Sequence, residues 1–561
     1  MPQKSEQHVA GVDVLLDGAK LDPKWRNVTT EVRVRDTLAL PDSAVVRLND
    51  PRGEHMDTHP FQLGKQLEIK TAGTGQRATS SIFKGQIVAL EPEFTQNGAV
   101  IAVRALDKGH KLQRVRKVRT FQQMSASDMV GKIGREAGLQ TDITSTSVVH
   151  EFFQQSAETD WDFIARLARS HDFRFFVEDN TLHFCPHGEG ASQTTLTWQD
   201  NLISFRPRMS GVQQPQTINA RAWDPKNKSN VNGSASSPQT TTQAGVQRSK
   251  VSSDLGGGTT LIADRVAANT SEANELAKAA LHSRADSYIE AEGVAFGNPA
   301  IRAGNKVKIE GVGRKFGGTY VVSSTTHVYR GETGYQTTFH ISGRSERGLL
   351  DLMHPPEKHD WSRDLVVGVV TNNNDPEQMG RVRVKYPSLS DDAESAWARV
   401  ASVSTGNARG LMMLPQPNEE VIVGFEHGDT RRPIVIGSLF NGRDKPGPDL
   451  LQNRDGSFAL LSNEKAHIHT KKDLEIKSDQ NMLVEVKQDQ NTKVSGNTKH
   501  ESTGNANHKA QQFTVEAGSS MTVKGVSVTV EASASLTLKG ATVDIQASGP
   551  LSLKGAIINL G

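Results

Sequence analysis

The chain has 561 residues, a formal net charge of +2 and a single cysteine, Cys185. The near-neutral balance argues against a dedicated nucleic-acid binder, which would carry a clustered basic surplus. One cysteine excludes an intramolecular disulfide framework and favours synthesis in a reducing compartment. The N-terminus lacks a continuous apolar core, and no run of about eighteen apolar residues occurs, so we expect cytoplasmic synthesis without a signal peptide and no membrane-spanning helix.

The first predicted elements are strands, which the apolar alternation places within residues 11–119. Two helices follow, in "SASDMVGKIGREAGL" and "SAETDWDFIARLARSHDF", because apolar residues recur there at helical spacing. A hairpin, "FRFFVEDNTLHFCPHG", comes directly after the second helix. This part of the chain is therefore predicted to be mainly β with a few helices.

The next segment, 225–258, is polar, rich in Ser, Thr, Gly and Gln, and without aromatic residues. Its composition predicts a flexible loop or insertion. A third helix is predicted in "SEANELAKAALHSRADSYIEAEG", followed by further strands. Residues 363–443 contain five or six short strands, which suit a small barrel. From about residue 457 to the end, the pattern predicts short strands with little apolar mass.

The last part of the chain repeats with a period of fifteen residues, and each full block ends in Lys-Gly. Inside each block, apolar residues alternate with polar ones, which predicts two short strands per block. The predicted inward positions are Phe513, Val515, Met521, Val523, Val528, Val530, Leu536, Leu538, Val543, Ile545, Leu551 and Leu553.

The apolar stripe is narrow, so one chain alone can bury only a small apolar area. This area is too small to offset the conformational entropy lost on folding, which costs about 1–2 kcal/mol per residue. Three identical chains wound about one axis can share a core and pair their sheet edges, so we predict a trimeric, intertwined β-helix. A β-solenoid formed by one chain is the alternative.

Several motifs resemble one family, the VgrG-type spike proteins of type VI secretion systems, phage tails and other contractile injection systems. The segment with the strongest match resembles the OB-fold module of that family, in "NNNDPEQMGRVRVKYP", "AWARV", "EEVIVGFEHGDTRRPIVIGSLFNG". Upstream, "DWDFIARLARSHDFRFFVEDNTLHF" resembles the phage late control D hub, and "FALLSNEKAHIHTKKDLEI" resembles the entry to the spike.

The resemblance implies three regions: β-barrel hub domains in residues 1–355, an OB-fold barrel in 363–443 and a β-helix (β-prism) spike in 457–561. It implies a homotrimer that contacts an inner tube protein, baseplate proteins, a PAAR-type tip protein, effector cargo and, on firing, a target membrane. The blunt tip would be Ile558, Leu560 and Gly561, with no effector extension beyond it. The alternative function is a trimeric tail-fibre or adhesin-like binding protein with a β-helical stalk.

We expect no enzyme activity and no cofactor. Neither Gly-x-Ser-x-Gly nor His-Glu-x-x-His occurs in the sequence. His183, Cys185 and His187 alternate, but a fourth zinc ligand is not evident, so an ordinary hairpin edge is the favoured interpretation. His467 and His469 share one strand face; they would form an axial metal site only if that face pointed to the trimer axis, whereas the parity of Ile468 with Leu474 favours solvent.

Overall fold

The computed structural model describes residues 11–560, except 39, 74–78, 97, 189–191, 213, 239–242, 342–363, 408, 411, 446–449, 453–457 and 462–465. The chain divides into two compact units, Met1–Asp449 and Leu450–Gly561. No helix within these described residues combines the length and the apolarity needed to cross a membrane.

The first unit begins with a β-rich body around one apolar core. Its elements are β1 (Val12–Leu16), β2 (Ala19–Lys20), α1 (Pro23–Asn27), β3 (Thr29–Thr37), β4 (Ser43–Asp50), β5 (Gln66–Thr71), β6 (Ser80–Thr95) and β7 (Gly98–Leu106). Alternation along β4 and along the middle of β3 buries Val34, Val46 and Leu48 completely, while the residues on either side of each lie at or near the surface. The strands predicted for this region are confirmed.

A helical lobe follows. Its elements are a 3-10 helix (Lys108–Gln113), β8 (Arg116–Ser125), α2 (Ala126–Glu136), β9 (Gln140–Ile143), β10 (Val149–Thr159), α3 (Asp160–His171), β11 (Phe173–Glu178) and β12 (Thr181–Pro186). Both predicted helices and the hairpin are confirmed. Ser125 and Asp128 form a reciprocal capping box on α2, and the Thr159 hydroxyl accepts the Asp162 backbone N–H at the start of α3.

The second half of the unit has the same two kinds of part, a β-rich core and a lobe with one helix. Its elements are β13 (Gln193–Thr197), β14 (Leu202–Met209), β15 (Thr217–Asp224), β16 (Ser229–Ala235), β17 (Gln243–Ala244), α4 (Arg248–Asp254), β18 (Thr259–Ile262), α5 (Thr270–Asp286), β19 (Ile289–Phe296), β20 (Lys306–Glu310), β21 (Gly318–Val321), β22 (Ser324–Arg330) and β23 (Gly334–Ile341). The third predicted helix corresponds to α5.

The expectation of a flexible loop over 225–258 is wrong for most of that segment. β16 pairs along its whole length with β15, and α4 is attached by polar contacts. The buried Ser252 hydroxyl donates to the Gln214 carbonyl at 2.6 Å, and Arg248 donates to the Pro215 carbonyl at 2.9 Å. Side-chain-to-backbone hydrogen bonds order this segment, and a composition-based argument does not detect them.

One continuous sheet joins the two halves, in the order β14-β19-β23-β22-β3-β4-β7-β6-β5-β1-β2. β22 pairs antiparallel with β3, so residues about 290 positions apart in sequence become neighbours, as Arg330 and Glu31 do. Arg302, whose side chain is mostly buried, donates to the buried Asp36 at 2.6 Å across the same junction. The two halves are therefore fastened by backbone pairing and by a buried ion pair.

A small barrel completes the unit. It contains β24 (Val366–Asn372), β25 (Arg381–Lys385), β26 (Ala398–Val400), β27 (Thr405–Gly406), β28 (Arg409–Gly410), β29 (Glu420–Phe425) and β30 (Pro433–Ser438). The closed order is β24-β25-β26-β30-β29, around Val382, Val384, Val421, Val423 and Val435, which have no exposed surface. The predicted mainly β fold with a small barrel is confirmed.

The loop between β24 and β25 is built on one carboxylate. Asp375 accepts the backbone N–H groups of Glu377 and Met379 at 3.0 and 2.8 Å, and the Arg381 guanidinium at 2.7 Å. Gly380 has a φ of +70°, a left-handed conformation that favours glycine. This geometry gives a structural reason for Asp375, Gly380 and Arg381 in the motif "NDPEQMGR", on which the OB-fold resemblance partly depends.

The second unit begins with three short strands, β31 (Leu450–Gln452), β32 (Phe458–Leu461) and β33 (Ala466–His469), which form an antiparallel sheet. Beyond them, residues 470–560 form no strand and no helix within the single chain. The strands expected there are not formed in the single chain, because a strand requires a paired neighbour and residues 470–560 have none among the described residues.

Candidate functional site

The most regular feature of residues 470–560 is a series of chain bends at fixed intervals. The bends come every eight residues at first, and then at alternating steps of seven and eight that together make the fifteen-residue repeat. They begin at Lys471, Asp479, Lys487, Ser495, Thr503, Gln511, Gly518, Val526, Ser533, Ala541, Ser548 and Ala556.

In the fifteen-residue repeat, apolar side chains follow each bend, at the second and fourth residues of a seven-residue step and at the third and fifth of an eight-residue step, and they are exposed. The twelve residues predicted to form a trimer core are each between 53% and 69% exposed in the single chain. Of the predicted tip residues, Ile558 and Leu560 are also exposed, and Gly561 lies outside the described residues. An apolar surface this long marks an interaction site rather than a solvent-facing surface.

The opposite side of the same segment is polar and charged. Glu475 and Lys477 form an ion pair at 2.8 Å, Lys499 and Glu501 form another at 2.6 Å, and Gln546 donates to Asp544 at 2.8 Å. Residues two apart therefore lie on one face, as in an extended chain. The segment is amphipathic at strand period, with an apolar side that has no cover in its own chain.

These observations contradict the alternative of a one-chain solenoid. Coils of a solenoid would pair with each other and bury their apolar residues, whereas the described residues 470–560 contain no strand pair and leave those side chains exposed. Backbone N–H and C=O groups are almost always paired in native proteins. Within the described residues of this single chain, segment 470–560 therefore lacks strand partners for its backbone and cover for its apolar side chains.

The histidines considered as metal ligands lie in two places. His467 and His469 are exposed on β33, with ring centroids 6.4 Å apart. His183 stacks on Phe176 and contacts Asp142 at 3.0 Å, whereas His187 is buried, and burial followed by the charge of Arg174 lowers its pKa to about 4. Among the described residues of one chain, no group of three or more His, Cys, Asp or Glu side chains is placed to hold a metal ion.

Sequence reasoning missed a largely buried charge cluster that joins the barrel to α5. This helix belongs to the lobe in the second half of the first unit, which we call the second helical lobe. Arg431 follows β29 and donates to Glu272 of α5 at 2.5 Å and to Asp429 at 2.8 Å. Burial by itself would lower the pKa of Arg431, but the charges of Asp429 and Glu272 raise it above its usual value. Burial, and then the Arg431 charge, lower the pKa of the adjacent His150 to about 4. The only sequence signal was the neighbouring "GDTRRP" motif.

Two family models match the chain. The first is described as the Alg8 N-terminal domain, and its match covers residues 6–330, more than half of the chain. The chain belongs to the Alg8 N-terminal domain family. The second model, the type VI secretion system/phage-baseplate injector OB domain, matches residues 366–440, the part of the chain that forms the closed barrel.

Beyond the Alg8 family match, curated relatives confirm the resemblance to VgrG-type spike proteins. The chain is 32% identical over 129 residues to the type VI secretion system spike protein VgrG5 of Pseudomonas aeruginosa, which covers 22% of this chain and 16% of that protein. It is 38% identical over 69 residues to the type VI secretion system spike protein VgrG3 of Vibrio cholerae. This match covers 12% of this chain and 7% of that protein. The matches thus span less than a fifth of the length of either relative.

Solved structures with similar chains include tail and secretion proteins. One is a 43 kDa tail protein of prophage MuSo2 from Shewanella oneidensis, with a TM-score of 0.47, 12% identity and coverage of 59% of this chain and 98% of that chain. Another is the E. coli c3393 protein, a component of the type VI secretion system, with a TM-score of 0.46, 15% identity and coverage of 77% and 100%.

Proposed function

We propose that this chain is the central spike protein of a contractile injection machine and that it works as a homotrimer. The observation that carries the proposal is the segment 470–560, which has regular bends, an apolar face without cover and no backbone partner in its own chain. The match of the barrel to an injector OB domain supports the machine class.

Three chains wound about one axis would supply both missing kinds of contact: hydrogen-bond partners for the backbone and packing partners for the apolar side chains. Each step of seven or eight residues would become a strand paired with strands of the two other chains, and the apolar residues, which are spaced two apart on each strand, would meet in the centre. The twelve residues from Phe513 to Leu553 would form that shared core, and Ile558 and Leu560 would close the tip. Every backbone edge except those at the ends would then be paired, which yields a stiff and soluble shaft.

The role we propose is mechanical and not enzymatic. Residues 1–355 would form the trimeric hub that joins the inner tube and baseplate, residues 363–443 would form the OB-fold collar, and residues 457–561 would form the shaft. A PAAR-type tip protein and effector cargo are the partners we propose for the spike, and the target membrane would be contacted on firing. The protein would be made in the cytoplasm and act inside an assembled particle.

Light scattering of the purified full-length protein tests the trimer directly. We expect a solution mass of about 183 kDa, which is three times the chain mass of 61.0 kDa. A stable monomer of 61.0 kDa would overturn the proposal, because a one-chain shaft would leave the apolar face of residues 470–560 in water.

A further inference from the structure

One stretch of the proposed shaft interior is polar. After the first two bends, the third and fifth residues are apolar: Leu474 and Ile476, and then Met482 and Val484. The same positions after the next three bends hold Gln490 and Thr492, Thr498 and His500, and Ala506 and His508. Apolar residues resume after the bend at Gln511, where the step is seven residues long and its second and fourth residues are Phe513 and Val515. Two histidines thus occupy positions that elsewhere carry core residues.

A ring contact places His508 on the apolar face, and the alternation of side chains along the strand places His500 there. The ring of His508 stacks against the ring of Phe513, with centroids 6.0 Å apart and an interplanar angle of 28°. His500 lies between Lys499 and Glu501, which pair with each other at 2.6 Å on the charged face. Because successive side chains of an extended chain point to opposite sides, His500 points away from that ion pair.

In the proposed trimer, this register would bring six imidazoles to the axis. Three copies of His500 would lie at one level and three copies of His508 at the next, about 5 Å away, since each strand step advances by one strand spacing. Burying so many unpaired ring nitrogens carries a large desolvation cost unless something binds them. The interior positions of this stretch contain no carboxylate, so the donors there are imidazole nitrogens with Thr and Gln oxygens nearby.

We propose that this polar stretch of the trimer is a binding site for a divalent transition-metal ion, with His500 and His508 of the three chains as ligands. The inference rests on the proposed trimer. Neutral imidazoles are the common protein ligands for Zn²⁺ and its neighbours, and three histidine nitrogens are a donor set that zinc accepts. A single chain supplies only one imidazole per level, so the site is incomplete without the two partner copies.

The site would tie the three chains together at the weakest part of the shaft. Polar interior residues contribute little hydrophobic stabilisation, and metal coordination would replace it with bonds that require all three chains. The ion would also select the trimer register, because only aligned chains bring the rings to one level.

Zinc binding to the full-length protein tests the proposal. The protein is stripped with a chelator, mixed with Zn²⁺, passed through gel filtration and measured for metal content, with the mass of each sample checked by light scattering. We expect at least one Zn²⁺ per three chains. In the double variant His500→Asn/His508→Asn, we expect the bound zinc to fall at least tenfold.

Two control variants address zinc bound elsewhere. The variant His467→Asn/His469→Asn removes the exposed pair on β33, and Lys499→Gln changes the outward neighbour of His500; both are expected to retain the zinc. Addition of Co²⁺ to the wild-type trimer is a second measurement, which does not depend on the variants folding, and it should produce visible ligand-field absorption characteristic of nitrogen ligands.

The outcomes separate this inference from the proposed function. A trimer that binds no more zinc than its His500→Asn/His508→Asn variant, or that shows no cobalt absorption, overturns the metal site and leaves the spike proposal intact. Loss of zinc only in the His467→Asn/His469→Asn variant also overturns it. A monomeric wild-type protein overturns the trimer, and the metal site with it.

Discussion

At the scale of single residues, one leucine distinguishes a shared core from a solvent-facing chain. Leu538 is two-thirds exposed in one chain, so Leu538→Asp would cost an isolated chain almost nothing. In the trimer, three unpaired carboxylates would be buried together, each at a cost of several kcal/mol. We therefore expect Leu538→Asp to abolish the trimer, as measured by light scattering.

The matched control for that experiment is Thr537→Asp, which adds the same charge at the adjacent position on the opposite side of the chain. We expect this variant to remain trimeric. A soluble Leu538→Asp trimer with unchanged thermal stability would count against a shared core.

Asp375 provides a residue-scale prediction on pH. Hydrogen bonding from Arg381 lowers its pKa to about 2, although burial opposes this. A lowered folded-state pKa contributes stability that is complete above the unfolded value of 3.8 and is lost as the pH falls through about 2. The shift corresponds to about 2 kcal/mol.

We expect Asp375→Asn to destabilise the barrel by about that amount at pH 7, with the difference from wild type shrinking between pH 4 and pH 2. Denaturant unfolding at several pH values measures it. Asp391→Asn, which changes an exposed carboxylate in a nearby loop, is the control and should have little effect. A constant difference down to pH 2 would refute the ion-pair explanation.

At the scale of elements, the fifteen-residue block should behave as a removable unit. Deleting residues 526–540 removes two bends and joins Gly525 to Ala541, so the seven-eight alternation continues unchanged. We expect the variant to remain trimeric with a shaft shorter by about 10 Å, which is two strand spacings. Light scattering and electron microscopy of the particle measure the two properties.

A smaller deletion is the control for register. Removing only residues 528–531 leaves two bends less than one strand apart and takes away Val528 and Val530. We expect this variant to lose the trimer or to fray towards its tip, although it retains more of the chain. Equal behaviour of the two deletions would mean that the period of the bends has no structural role.

At the scale of the whole molecule, buried Arg431 holds the barrel to the second helical lobe within the first unit. Replacing it with Met would leave the buried Glu272 and the partly buried Asp429 without their cation, at a cost of about 3 kcal/mol. We expect Arg431→Met to lower the unfolding temperature and to make the barrel easier to cleave from the hub by protease. Arg443→Met, at an exposed arginine, should change neither property.

Local signals predicted a large part of this fold. The helices α2 and α3 are predicted by their apolar spacing and by the N-cap residues Ser125 and Thr159. Each N-cap lies directly before the helix that it begins. The barrel followed from the order of its motifs, and the amphipathic repeat followed from its period alone. In each case the relevant interactions join residues that are close in the chain, or they recur many times, so they produce a recognisable pattern in the sequence.

What only the tertiary structure decided depends on contacts between distant residues. The polar segment 225–258 is largely ordered because Ser252 and Arg248 find backbone carbonyls near Gln214, and Arg431 is buried because α5 presents Glu272 to it. Composition carries no information about such partners. The sequence by itself determined that residues 470–560 have one apolar face, since alternation is local. Only the tertiary structure decided that these side chains are exposed and that the segment forms no strand pair within the described residues of the single chain, since burial and pairing depend on contacts between residues distant in sequence.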